Sequence, residues 1–135
     1  MKFFLLMMLF YLCNSYKYFY GSINRQYIKK KFNIYGLVED HHIIPKQFKN
    51  HHKLKKYNFN ISQSSNIMLM PNKIGIQNLD TNRMLHTGGH TQYNRYVGKM
   101  LENIDNEDDI KKIIWYLRYC IRNNNNKNII PIAWK

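Results

Sequence analysis

Six histidines, His41, His42, His51, His52, His86 and His90, are the residues of this chain best suited by type and spacing to do chemistry. His86 and His90 stand four apart with Gly88 and Gly89 between them. Imidazoles at that spacing can converge on one metal ion across a turn, His86 just before a helix and His90 in its first turn. The spacing alone recurs by chance, and two surface histidines would show it equally well. His41 and His42 are neighbours in Glu39-Asp40-His41-His42-Ile43-Ile44-Pro45. Adjacent side chains on a strand point to opposite faces, so at a strand end one imidazole can serve a metal and the other a water. Ile43 and Ile44 anchor that strand and Pro45 ends it. The pair His51-His52 has no such anchor and sits in a Lys-rich stretch, so it reads as solvated or phosphate-facing surface. Asn66 precedes the apolar run Ile67-Met68-Leu69-Met70-Pro71, where an Asn can fix a loop and orient an imidazole.

The elements that must position these residues follow from periodicity and punctuation. Ser22 to about Phe32 reads as a short basic helix capped by Ser22, and Ile34 to Ile44 as extended. Residues 46 to 66 are polar and irregular, with a short helix around Gln47 to Tyr57. Asn66 to Pro71 is a short strand and Gly75 to Gly89 mostly loop. From His90 the spacing of Tyr93, Val97, Met100, Leu101 and Ile104 is helical. A last helix begins at Asn106, whose side chain can cap it, while Glu107, Asp108 and Asp109 suit its positive dipole end. Its apolar stripe is Ile110, Ile113, Ile114, Leu117 and Ile121, with Arg118 and Arg122 near the negative end. A short strand pair followed by helices gives an α+β domain.

The chain has 135 residues, enough for one domain, and a hydrophobic fraction of 44%, enough for a core. A two-domain enzyme, a repeat array and global disorder are excluded. Lys and Arg number 21 against 8 Asp and Glu, a net charge of +13. Such a surface associates with polyanions, nucleic acid or an acidic membrane. Residues 17 to 56 hold ten bases against two acids, whereas five acids fall between Glu102 and Asp109. The basic half is expected to face the polyanion and the acidic stretch to face away. The skew toward Asn, Lys, Ile and Tyr, with Ala133 the one alanine, reads as A+T-rich codon bias. That bias weakens inference from single Lys or Tyr residues and strengthens it for His, Gly and Pro. Two cysteines, Cys13 and Cys120, cannot build a disulfide scaffold or a Cys-rich zinc site, and Cys120 falls on the last helix's apolar stripe as a core residue.

Met1-Lys2 is followed by eleven apolar residues, Phe3 to Cys13. They are too few to span a bilayer, which takes roughly 20, and they suit a signal-peptide core with a cut after Ser15. The alternative is an N-terminal element packed on the core. The expected organisation is a targeting segment at 1–15, a basic helical extension at 16–33, a central domain at 34–104, a scaffold helix at 105–122 and an Asn-rich tail at 123–135. Secretion, or otherwise a cytoplasmic location, follows from whether the first segment acts as a signal. Membrane contact is expected only through that segment if it is uncleaved.

Taken in order, H-H-I-I-P, S-S-N-I-M-L-M-P and L-H-T-G-G-H-T-Q-Y-N resemble the AHH branch of the HNH/endonuclease VII nuclease superfamily over about residues 34 to 104. The resemblance implies a small ββα-metal finger, a β-hairpin, a loop and a helix around one divalent cation (Zn, Ni, Mn or Mg), here with flanking helices. It implies a metal-dependent endonuclease acting on nucleic acid, DNA in preference to RNA, and leaving 5′-phosphate and 3′-hydroxyl ends. By position His41, His86 and His90 would hold the metal and His42 would take a proton from water. Asn66 would hold His42 in the useful tautomer, by side chain or backbone carbonyl. Glu39 matches an acidic residue two before the pair in related DNase-type colicins. Asp40 departs from the alanine usual in this branch and adds negative charge near the metal. Lys46, Lys49, Lys53, Arg83 and Arg95 are candidate phosphate contacts. Two rivals stay open: a catalytically inactive nucleic-acid-binding domain of the same fold, and a secreted basic effector acting on membranes. An inhibitor or immunity protein as partner is left open.

Overall fold

The computed structural model describes residues 22–81, 83–86 and 88–123. The apolar segment with its cleavage site and the tail beyond Asn123 lie outside the described residues. Two short strands form an antiparallel sheet, β1 at Val38–His42 and β2 at Ile67–Pro71, in the register Val38–Pro71, Glu39–Met70, Asp40–Leu69, His41–Met68 and His42–Ile67. The pleat divides β1 into two faces. Glu39 and His41 share a face with Met68 and Met70, and Val38, Asp40 and His42 share the other with Ile67, Leu69 and Pro71.

The strand is shorter than the extended stretch expected from Ile34 to Ile44. Upstream the chain turns through Gly36 at φ 79°, and the Leu37 amide donates to the Ile34 carbonyl. Downstream Ile43 and Ile44 leave the ladder because their amides are taken by Asn66, Ile43 by its carbonyl at 2.8 Å and Ile44 by its Oδ1 at 2.7 Å. Both isoleucines are fully buried and act as a plug between sheet and helices.

Helix α1 (Ser22–Lys31) is docked on β1 through Asp40, which accepts from Arg25 Nε at 2.8 Å and Lys29 Nζ at 2.9 Å. After Pro45 come a 3-10 turn at Lys46–Asn50, helix α2 (His52–Lys56) and a second 3-10 turn at Ser64–Asn66. Helix α3 (Lys73–Asn78) occupies part of the region expected to be loop. Asn72 caps it by accepting from the Gly75 amide at 2.8 Å. Gly75 lets it approach β1, since a Cβ there would stand 1.9 Å from the Leu37 carbonyl oxygen.

Helix α4 (Thr91–Glu102) and helix α5 (Glu107–Arg122) supply most of the core. The buried stripe of α4 is Tyr93, Val97 and Leu101, and that of α5 is Ile110, Ile113, Ile114, Leu117, Cys120 and Ile121. Each such aliphatic side chain stabilises the fold by roughly 1.5–3 kcal/mol when fully buried, so packing rather than helix propensity holds them. Asn106 opens α5 with a capping box: its side chain accepts from the Asp109 amide, and Asp109 accepts from the Asn106 amide. Arg118 donates to the Ser65 carbonyl and ties α5 to the loop leading into Asn66. Among the described residues no helix is long and apolar enough to cross a membrane.

Candidate active site

β1 ends where α4 begins, and the histidines meet there. His41 lies on the inward face of β1 and is 2% exposed. His86 sits in the loop after α3, anchored by its amide donating to the Pro71 carbonyl at 2.7 Å. His90 precedes the first helical residue of α4 as its N-cap rather than lying in the first turn. Gly89, at φ 78°, supplies the left-handed step that returns the chain to the helix. One ring nitrogen from each of His41, His86 and His90 lies within 4.8 Å of the other two. The rings stand 5.3 Å (His41–His86), 5.2 Å (His41–His90) and 5.7 Å (His86–His90) apart, none of them stacked. Edge-on imidazoles that converge in this way direct nitrogen donors at a shared point, which suits a small divalent cation.

The surroundings disfavour charge on His41 and His90 and orient His86. Burial, reinforced by the neighbouring His90, His86 and His42, pushes the His41 pKa down to about 3. Burial also lowers the His90 pKa, against a hydrogen bond to Asn94 that raises it. Asn94 in turn donates to Gln47 Oε1 at 2.9 Å, which links the start of α4 to the 3-10 turn after β1. Glu39 reaches from the face it shares with His41 to His86, with its Oε2 2.5 Å from Nδ1. A carboxylate on one ring nitrogen fixes the tautomer that leaves the other free for a metal. Tyr93 packs its ring 5.8 Å from both His41 and His90 and donates its hydroxyl to the Ile43 carbonyl. Burial keeps that phenol protonated, with its pKa raised above the ordinary value.

His42 occupies the opposite face of the strand and is half-buried. Burial first, then the positive charges of Lys46 and Arg25, lower its pKa, and Asp40 opposes them. The acidic Asp40 adds no unbalanced charge beside the histidines, because Arg25 and Lys29 pair with it on the His42 face. Burial works against its carboxylate, but the hydrogen bonds from Lys29 and Arg25 prevail and hold its pKa below the usual range. The Asn66 side chain makes its hydrogen bonds to groups other than His42. Fully buried, it accepts from the Ile44 amide and donates to the Ile44 carbonyl at 3.0 Å and the Ile61 carbonyl at 2.8 Å. Its backbone carbonyl accepts from the amide of Ile43, the residue after His42.

The basic residues separate into two groups. Lys46, Lys49, Arg83 and Arg95 are exposed. Arg83 stands at a cleft of about 690 Å³ whose wall includes Val38, Leu69 and Pro71, on the sheet face of His42. Lys53 instead donates to the Ile104 carbonyl at 2.8 Å and is half-buried. His51 departs from the solvated surface expected of it, with a side chain only 11% exposed beside Glu102 and Phe48. His52 is 67% exposed, as expected. Sequence reasoning did not single out Arg25, Gln47 or the Tyr93 hydroxyl. The one available signal was Asp40, since an acid on a half-buried strand needs a counter-charge.

A family model described as a nuclease family of the HNH/ENDO VII superfamily with conserved AHH matches residues 35–114. That span runs from the turn before β1 into α5 and contains every histidine of the site. No curated protein and no solved structure matches the chain.

Proposed function

The chain belongs to the AHH family, a nuclease family of the HNH/ENDO VII superfamily. From that premise we propose a metal-dependent endonuclease that hydrolyses phosphodiester bonds, those of DNA in preference to RNA, and leaves 5′-phosphate and 3′-hydroxyl ends. The observation that carries the reading is the approach of His41, His86 and His90 to within 4.8 Å of one another, with His42 next in sequence on the other side of the pleat.

The donor set fits a divalent ion. Three imidazoles are present, the most buried is held neutral, and a three-ligand site leaves positions for water and phosphate. All-nitrogen ligation suits Zn²⁺, Ni²⁺ or Mn²⁺ better than Mg²⁺. Such an ion supplies Lewis acidity to a scissile phosphate oxygen and to the departing 3′-oxygen. His42 accepts the proton of the attacking water, and its lowered pKa leaves it a free base at neutral pH. Glu39 holds His86 in the tautomer that presents Nε2. Asn66 positions His42 by fixing the backbone of Ile43 and Ile44. The exposed Lys46, Lys49, Arg83 and Arg95 bind the phosphate backbone.

The test is incubation of purified protein with plasmid DNA and with RNA, with and without EDTA, beside His42→Ala. Cleavage that EDTA and His42→Ala both abolish is expected, with DNA consumed faster. Tight binding with no cleavage under any metal would instead identify an inactive binder of the same fold. Leakage of anionic liposomes without cleavage would identify a membrane-active effector.

A further inference from the structure

The far end of α4 holds a second cluster of ligand-type side chains. Glu102, the last residue of α4, accepts from or pairs with His51 Nε2 at 3.0 Å through Oε1, and its Oε2 stands 4.0 Å from His52 Nε2. The two imidazoles are stacked, with centroids 4.7 Å apart and planes at 26°. One donor atom from each of His51, His52 and Glu102 lies within 4.8 Å of the others. The backbone holds the arrangement together. His51 is the N-cap of α2, Lys53 of the same helix donates to the Ile104 carbonyl at 2.8 Å, and Tyr57 just beyond it donates to the Asp105 carbonyl. The turn before α2 is seated on α4 as well, because Gly98 leaves room for the Phe48 ring, which would stand 3.2 Å from a Cβ there.

We propose that His51, His52 and Glu102 form a second divalent-metal site, of zinc type, which pins α2 to the C-terminal end of α4. Two imidazole nitrogens and one carboxylate are a zinc donor set, with water completing the tetrahedron. Nε2 of each ring approaches the same carboxylate, at 3.0 Å for His51 and 4.0 Å for His52, and His52 and Glu102 are exposed side chains free to adjust. Glu102 lies twelve residues from His90, ~18 Å along the helix axis. This metal therefore takes no part in the chemistry at the other end. Its effect is structural: α4 is held at its foot while His90 is presented at its head.

The test is zinc stoichiometry on the untagged full-length chain, by equilibrium dialysis with zinc chloride followed by elemental analysis. Wild type is expected to bind two equivalents. A His86→Ala/His90→Ala double variant, which removes two ligands of the active site, is expected to retain one and to melt at a higher temperature with zinc than without. His52→Ala and Glu102→Gln change exposed residues that the fold does not require. Each is expected to weaken the second equivalent by at least the roughly 10- to 100-fold that loss of a ligand's supporting partner costs, while the first equivalent stays bound. Should the double variant fail to fold, wild type against His52→Ala and Glu102→Gln decides alone. One equivalent in wild type, or two undiminished in both single variants, overturns the proposal. Neither result bears on the nuclease reading, which is tested by cleavage and by His42→Ala.

Discussion

Replacing Asn66 by alanine removes three hydrogen bonds at once. The side chain satisfies the Ile44 amide at 2.7 Å, the Ile44 carbonyl at 3.0 Å and the Ile61 carbonyl at 2.8 Å, and Ile44 and Asn66 are both fully buried. A buried hydrogen bond contributes about 0.5–1.5 kcal/mol net, and a stranded buried partner costs about 1–3 kcal/mol. Three stranded partners would cost about 3–9 kcal/mol, and water reaching some of the freed groups brings the expected loss to the low end, about 3–4 kcal/mol. A domain of this size is stable by about 5–15 kcal/mol, so Asn66→Ala is expected to fold while losing a substantial fraction of its stability. Asn66→Asp is expected to lose at least as much, because an ionised carboxylate keeps an acceptor for the Ile44 amide but faces the Ile44 and Ile61 carbonyls with no proton to donate. Urea denaturation followed by circular dichroism measures both. Cleavage at low temperature, where the variants are folded, should also fall, since the freed segment begins two residues after His42. A midpoint within about 0.5 kcal/mol of wild type for Asn66→Ala would refute the account, for the side chain would then have no structural role to lose.

His42→Ala is expected to abolish cleavage with metal binding nearly intact, whereas His86→Ala and His90→Ala should lose both activity and the active-site metal equivalent; metal counting beside a plasmid assay separates the classes. His52→Ala, at an exposed position, should cleave like wild type, and a dead His52→Ala with an active His42→Ala would show that the wrong pair had been chosen. The metal-free protein should lose stability in acid. The His41 pKa falls from 6.5 to about 3 on folding, so between those values the unfolded chain binds a proton that the folded chain refuses. Stability from this residue is complete above about pH 6.5 and declines toward pH 3, by up to about 5 kcal/mol, which denaturation midpoints from pH 7 to pH 4 will follow. Nucleic-acid affinity should drop steeply with salt, and a flat response would reduce the +13 charge to a solvated surface. Made in a secretory system, the protein should begin near Tyr16, against which N-terminal sequencing that finds Met1 on the secreted product would count.

The α+β class and the two long helices were legible because they rest on local pattern. Tyr93, Val97 and Leu101, and the stripe from Ile110 to Ile121 behind the Asn106 cap, each state their period within one turn of chain. The order of the histidines was legible for the same reason, as a string of short motifs. What escaped was set by contacts between distant segments. Helix α3 has no apolar stripe to announce it, and it exists because Asn72 caps it and Gly75 fits beneath Leu37. Ile34 to Ile44 has the composition of one long strand, but only the five residues facing β2 find a ladder partner. The role of Arg25 depends on Asp40, fifteen residues away, and that of Lys53 on a carbonyl fifty-one residues away. In a Lys-rich chain nothing marks which lysine will turn inward. His51 looked like its neighbour in sequence and differs from it because α4 ends beside it.

The antiparallel register of β1 and β2 has a consequence for tolerated change. His41 and His42 face opposite ways because they are one residue apart, so the separation of metal binding from proton transfer depends on parity, odd against even. Inserting or deleting one residue between Val38 and His42 would exchange the two sides, sending His42 into the core against Tyr93 and His41 toward Arg25 and Lys46. A two-residue change would restore the sides at the price of displacing the strand's end. Viable length variants of this hairpin should therefore come in steps of two, whatever the composition of the inserted residues.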